Sequence, residues 1–148
     1  MIVDDESVSH AILKEFFEML GVEVIETAEN GHVALQKYTK SLTGRNGPIN
    51  IVTMDISMPV MDGKASAQKI REFEVLKGIS PALMMVISGD CSESEMNYCL
   101  KADGNIRADA FLKKPANVDE IARVLAIYLS KIYEPEEIQR VIEQSEGK

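Results

Sequence analysis

The chain has 148 residues, enough for one domain with a real core and too few for two of ordinary size. A formal net charge of -8 and an isoelectric point near 4.8 argue against a nucleic-acid surface, which needs clustered Lys and Arg. No apolar run approaches the ~20 residues of a membrane helix, and acids stand where a signal peptide has a basic region. The only cysteines are Cys91 and Cys99. Eight apart in what reads as one helix, they are too distant along its axis for a disulfide, which fits a reducing compartment. The expectation is a cytoplasmic chain that contacts neither membrane nor nucleic acid.

Ile2-Val3 is a short first strand running directly into Asp4-Asp5. Val8, Ile12, Phe16 and Met19 recur at helical spacing and predict a first helix, closed by Gly21. Residues 22–28 predict a second strand, and Ala34, Tyr38 and Leu42 a second helix. The apolar run 51–54 predicts a third strand and leads into Asp55-Ile56-Ser57-Met58-Pro59-Val60-Met61-Asp62-Gly63, where Met58-Pro59 turns the chain and Asp62-Gly63 starts a helix. Ala67, Ile70, Phe73 and Leu76 carry that third helix. A fourth strand at 83–88 precedes a fourth helix on Met96, Cys99 and Leu100, and 110–112 is the fifth strand. The fifth helix is the clearest: Val118, Ile121, Ala122, Leu125 and Leu129 form one stripe, capped by Asn117. Glu134-Pro135 breaks it, and Glu136, Glu137, Ile138, Val141 and Ile142 predict a short extra helix before a polar tail. Loops 41–50 and 102–109 are long. The eight methionines read as flexible core filler, and His10 and His32 as solvent-facing.

Strands alternating with helices pair in parallel through right-handed crossovers, which makes a doubly wound α/β domain with a five-stranded parallel sheet and five helices. The first strand is shorter than the ~5 residues usual for a buried strand, so the chain reads as a piece of a longer protein. Parallel neighbours open their carboxyl ends on one edge of the sheet, and Asp4, Asp5 and Asp55 can therefore share one cation. Close carboxylates repel unless protonated or neutralised, and an all-oxygen site of this kind suits Mg²⁺. Ser88 ends the fourth strand and Lys114 follows the fifth in Lys113-Lys114-Pro115. Acids for a metal, a central carboxylate, a hydroxyl and an ammonium are the equipment for phosphoryl transfer to a carboxylate.

In this order the residues resemble the receiver domains of two-component response regulators and hybrid sensor kinases. The resemblance runs from Asp4-Asp5 through Asp55-x-x-Met58-Pro59-x-Met61-Asp62-Gly63 and Ser88 to Lys114-Pro115. It implies a flavodoxin-like sheet of order 2-1-3-4-5, a receiver over residues 1–133, and a helix with a polar tail over 134–148. Asp55 would be the phosphoacceptor. Asp5, Asp55 and the main-chain carbonyl of Ser57 would bind Mg²⁺, with Asp4 acting largely through water. Ser88 would be the switch hydroxyl, Phe111 the switch aromatic and Lys114, not Lys113, the family's lysine. The implied donor is a histidine kinase or a histidine phosphotransfer protein, and a phosphorylation-dependent dimer is a further implied partner. Such a domain catalyses its own phosphorylation without being an enzyme in the ordinary sense. Ser57 and Asp90, two residues after Asp55 and Ser88, depart from the frequent pattern at positions that govern water access to an acyl phosphate.

Other classes fit less well. A Mg²⁺-dependent phosphohydrolase of the haloacid dehalogenase type also uses an aspartyl phosphate, but commonly has an Asp where Ser57 stands, and no cap domain fits the length. A flavin or nucleotide binder needs a glycine-rich first loop, and here that loop reads Asp4-Asp5-Glu6-Ser7. A receiver that never takes phosphate is disfavoured because every expected functional group is present.

Overall fold

A computed structural model describes residues 1–146. The last two residues of the expected polar tail, and the side chains of Ile138, Val141 and Ile142, lie outside the described residues. Strands β1 (Ile2–Val3), β2 (Thr27–Ala28), β3 (Ile51–Met54), β4 (Leu83–Ser88) and β5 (Ala110–Lys113) form one parallel sheet in the order β2-β1-β3-β4-β5. The helices are α1 (Ser7–Met19), α2 (Gly31–Ser41), α3 (Gly63–Lys77), α4 (Glu93–Leu100), α5 (Val118–Ile132) and α6 (Pro135–Glu146). From β1 the chain first adds β2 on one side, then returns to add β3 to β5 on the other. The reversal falls between β1 and β3, so the loops leaving these two strands flank the crevice where doubly wound folds hold ligands.

By its contacts the chain divides into two compact units, Met1–Ala116 and Asn117–Lys148. The first contains the sheet and α1 to α4. Val3, Met54, Val86 and Phe111 stand side by side in register. Val3, Val52, Met54, Met84 and Val86 belong to the buried cluster with Ala34, Tyr38, Ala67, Ile70 and Cys99. All six residues of β4 are buried, which explains its unbroken apolar reading, as a strand covered on both sides has no polar face. Fully burying one such side chain is worth ~1.5–3 kcal/mol. In the second unit, Asn117 caps α5 through a reciprocal capping box with Glu120, and Ile121 and Leu125 are buried. The extra helix α6 spans twelve residues, longer than the short one expected.

Several expectations are corrected. Only Thr27 and Ala28 of the expected 22–28 strand are paired, because β1 offers just Ile2 and Val3 as partners. The stripe of α1 is rotated: Leu13 and Phe17 are buried, while Val8, Ile12 and Met19 are exposed. Gly21 closes that helix as expected, at φ 72°. Strand β5 runs one residue further, to Lys113. Leu76, Leu100 and Leu129 are exposed. Cys91 precedes α4 and does not share a helix with Cys99; both are free thiols. Met54, Met84 and Met85 are core residues, whereas Met19 is not.

The helical spacing of α3 gives no sign of the buried ionic cluster that the structure shows. Arg71 and Glu74 are buried and paired at 2.9 Å. The Arg71 guanidinium also donates to the carbonyls of Ala82, Ile106 and Arg107. Glu74 accepts from the Tyr38 hydroxyl at 2.7 Å and from the Ala82 amide at 2.8 Å. The cluster ties α3 to α2, to the start of β4 and to loop 102–109.

Candidate functional site

Parallel register brings the acids together. Val3 pairs with Met54, so the residues that follow, Asp4 and Asp55, leave adjacent strands at one level. The backbone secures both: the Asp4 amide donates to the Ala28 carbonyl at 3.0 Å and the Asp55 amide to the Val3 carbonyl at 2.9 Å. Asp4 and Asp55 are buried, at 2% and 5% exposure, while Asp5 is exposed. The carboxylates of Asp4, Asp5 and Asp55 each offer an oxygen within 4.8 Å of the others.

The Lys114 ammonium lies between the two buried acids, 2.8 Å from Asp4 Oδ2 and 3.2 Å from Asp55 Oδ2. The second oxygen of each is held locally. Asp4 Oδ1 accepts from the Glu6 amide at 2.9 Å and Asp55 Oδ1 from the Ser57 amide at 3.2 Å. Burial pushes the Asp55 carboxyl above its usual range, against the opposing pull of Lys114. Burial alone would lower the Lys114 pKa, but hydrogen bonds and attraction from Asp4 and Asp55 raise it on balance. Two buried carboxylates thus share the Lys114 ammonium, with the exposed Asp5 carboxylate beside them. This all-oxygen, under-neutralised set fits a hard divalent cation such as Mg²⁺.

Loop 55–63 is fixed at both ends. Asp62 caps α3 by accepting from the Ala65 amide at 2.8 Å, and the Gly63 amide donates to the Ile56 carbonyl at 2.9 Å. A Cβ at Gly63 would collide with the Asp55 carbonyl oxygen, so only glycine lets the helix start this close to the strand. Between these anchors Val60 sits at φ 70° and is 85% exposed. A β-branched residue in the left-handed region is strained by ~1–3 kcal/mol.

Ser88 is buried, and its hydroxyl oxygen accepts from the Asp90 amide at 3.1 Å. Its carbonyl accepts from the Lys114 amide at 2.9 Å, so Ser88 and Lys114 are backbone neighbours. Phe111 is half-buried against the core cluster, opposite Val86. Lys113 is exposed. Two contacts escaped the sequence reading. His10 is not purely solvent-facing: its Nε2 donates to the Asp4 carbonyl at 2.7 Å. Lys64 pairs with Glu95 across α3 and α4 at 2.8 Å. Neither has a sequence signal, since each depends on how separate segments pack. His32 is exposed, as expected.

A doubly wound domain with acids and a lysine at its carboxyl edge is equipped for chemistry on phosphoryl groups. The chain belongs to the response regulator receiver domain family, which matches residues 1–126. It is a receiver of two-component phosphorelay signalling. The autoinducer 1 sensor kinase/phosphatase LuxN of Vibrio campbellii is 30% identical over 132 residues, covering 88% of this chain and 13% of that protein. The chain therefore spans about an eighth of this curated relative. Among solved structures, the CheX-CheY complex with BeF3 and Mg²⁺ from Borrelia burgdorferi is similar at 29% identity and TM-score 0.73, covering 90% of this chain and 87% of that one. The receiver domain of the Arabidopsis thaliana histidine kinase CKI1, complexed with Mg²⁺, is 28% identical at TM-score 0.71, covering 86% and 88%. The haloacid dehalogenase alternative gains no support from these likenesses. No helix among the described residues is long and apolar enough to cross a membrane.

Proposed function

We propose that Asp55 is the phosphoacceptor of this receiver, with a phosphohistidine as donor. The observation that carries the reading is the buried Asp55 carboxylate, set beside Asp4 and Asp5 with Lys114 as its cationic partner at 3.2 Å. An Asp55 oxygen attacks phosphorus, the P–N bond to the donor imidazole breaks as the P–O bond forms, and the imidazole leaves with its electron pair and takes up a proton. Lys114 loses its contact with one Asp55 oxygen and gains a phosphoryl oxygen, so its charge is neutralised throughout. Asp5, Asp55 and the Ser57 carbonyl would hold Mg²⁺, with Asp4 reaching it through water. Bound there, the ion neutralises charge on the phosphoryl oxygens.

Ser88 is the switch hydroxyl in this reading. It has a donor hydrogen to give a phosphoryl oxygen, and its present acceptor bond from the Asp90 amide ties any movement to the segment leading into α4. Phe111, next to Val86 on the neighbouring strand, is the aromatic that responds. The donor is a histidine kinase or a histidine phosphotransfer protein, and the domain works in the cytoplasm, with phosphorylation-dependent dimerisation as one route to output. A groove of about 340 Å³ beside Asp4 and Lys114, lined by Val8, Ile12, Leu13, Ile87 and Pro115, supports docking of a donor with an apolar face. The receiver is taken as residues 1–133, followed by a helix and polar tail.

Incubation with acetyl phosphate and Mg²⁺ tests the assignment. One base-labile phosphoryl group per chain is expected, absent from Asp55→Asn and weakened by Asp5→Asn. Undiminished labelling of Asp55→Asn would falsify it.

A further inference from the structure

We propose that Lys64 is a positioning residue that clasps α4 to α3 and sets how readily the segment after Ser88 rearranges. The coupling to phosphorylation rests on the reading of Asp55 as phosphoacceptor; the clasp itself does not. Among the described residues of α4, Cys99 alone is buried. That side chain and the hydrogen bond from the Ala108 amide to the Cys99 carbonyl, 2.9 Å, hold the end of the helix. The beginning is held differently. Its cap, Ser92, accepts from the Glu95 amide at a long 3.4 Å, and no residue of the first turn is buried. Lys64 supplies what apolar burial does not: its ammonium lies 2.8 Å and 3.2 Å from the two Glu95 carboxylate oxygens and 5.4 Å from the centre of the Tyr98 ring.

Glu95 and Tyr98 are three residues apart and share one helix face, so one ammonium grips two successive positions. Glu95 is only 18% exposed, which shields the pair more than an ordinary surface ion pair. The ring adds a cation–π attraction. The hydrogen bond to Glu95 is the leading cause of an upward shift in the Lys64 pKa, against the opposing effect of desolvation.

The other end of the clasp is tied to the loop by the backbone. Lys64 directly follows Gly63, whose amide donates to the Ile56 carbonyl at 2.9 Å and which lies too close to the Asp55 carbonyl oxygen to carry a side chain. The side chain therefore links the loop carrying Asp55 to the helix that follows Ser88. If Ser88 turns toward a phosphoryl group, its bond from the Asp90 amide pulls residues 89–92, and α4 shifts with them. Lys64 must then release Glu95 and Tyr98, so the clasp favours the resting arrangement. A ligand on Asp55 shifts this equilibrium only by its preference for one state, and a stronger clasp demands more of that preference.

The test compares the unaltered chain with Lys64→Met, Glu95→Gln, their combination and Lys64→Arg. Amide hydrogen exchange over residues 93–100 is measured without phosphodonor, and beryllofluoride is then titrated in the presence of Mg²⁺. Lys64→Met and Glu95→Gln should each speed exchange about fivefold, and the double variant no more than the stronger single, because the two share one contact. Lys64→Arg should restore slow exchange. Beryllofluoride affinity should rise about fivefold in the two single variants and return with Lys64→Arg. Unchanged exchange, or additive effects in the double variant, would overturn the clasp. Faster exchange with unchanged affinity would overturn its coupling to the site. Failure of the unaltered chain to bind beryllofluoride would count against the phosphoacceptor reading and remove the coupling with it, while the exchange data still decide the clasp.

Discussion

Two buried ionic clusters lie in the same unit, and they are built to opposite rules. Around Arg71 every demand is met. The guanidinium donates to Glu74 and to three carbonyls, and Glu74 accepts from Arg71, Tyr38 and the Ala82 amide. Around Asp55 the hydrogen bonds are made but the charge is not balanced: Asp4 and Asp55 share the Lys114 ammonium, the exposed Asp5 carboxylate stands beside them, and burial raises the Asp55 pKa despite the lysine. A closed cluster fixes structure, because each ion is paired and hydrogen-bonded and nothing further can join. An open cluster stores repulsion that a bound cation relieves, so binding energy is available at the point where function needs it.

The largest effect should come from breaking the closed cluster. Arg71→Ala leaves Glu74 buried without its cation and orphans three carbonyls, and removing one partner of a buried pair costs ~3–5 kcal/mol. Urea or thermal unfolding measures this loss. Beryllofluoride binding by the folded fraction should be unchanged, since the Arg71 cluster shares no residue with the acid site. A stability change below about 1 kcal/mol would dissolve the distinction between the clusters.

The open cluster should respond with the opposite sign. Asp55→Asn removes one of the competing buried carboxylates and should raise stability by ~0.5–2 kcal/mol while abolishing phosphoryl acceptance. The pH dependence gives a sharper check. The ordinary value for this carboxyl is 3.8, and the fold raises it, so between the two values the folded chain holds a proton that the unfolded chain has released. Stability then falls as pH rises through that window. The advantage of Asp55→Asn should be absent below the ordinary value and complete above the raised one. A constant advantage across the carboxylate range would show that relief of buried charge is not its cause.

These clusters also show what could be read in advance. Asp4-Asp5, Asp55 and Ser88 were legible because each follows or ends a short apolar run, and parallel strands align such positions whatever else the fold does; Lys114 was singled out from Lys113 by the resemblance to the family's Lys-Pro pair. Arg71 and Glu74 were not. They lie among the apolar marks Ala67, Ile70 and Phe73, and charged side chains there read as solvent-facing until Tyr38, Ala82 and Ile106 supply partners 8 to 36 residues away. The rotated stripe of α1 failed for a related reason. Val8, Ile12 and Met19 satisfy helical spacing as well as Leu13 and Phe17 do, and only packing decides which set is covered.

A smaller effect tests how completely the closed cluster is satisfied. Tyr38→Phe keeps the ring, which meets Phe73 edge to face at 6.3 Å, and removes only the hydroxyl that donates to Glu74. One such bond is worth ~0.5–1.5 kcal/mol, rising toward ~3 when the acceptor is charged. Glu74 keeps Arg71 and the Ala82 amide, so a loss of about 1 kcal/mol is expected in equilibrium unfolding, well below that of Arg71→Ala. Equal losses would mean that the cluster collapses as a unit when any member is removed.

The smallest effect should come from Lys113, the immediate neighbour of the cation in the open cluster. Lys113 pairs in register with Ser88 and is exposed, whereas Lys114 is the residue whose ammonium meets Asp4 and Asp55. Successive side chains at a strand end point to opposite sides, so the neighbour cannot substitute without a shift of register. Lys113→Ala should therefore leave unfolding midpoint and phosphorylation rate within experimental error. Lys114→Ala should slow phosphorylation by acetyl phosphate by about tenfold or more, since it removes a positioned cation from developing negative charge. The pair of variants separates charge from position: both remove one positive charge from an acidic chain, so a general electrostatic effect on an anionic donor would slow the two alike. Equal slowing would place the function in net charge and contradict the open-cluster account, while a difference confined to Lys114 ties it to one ammonium between two buried acids.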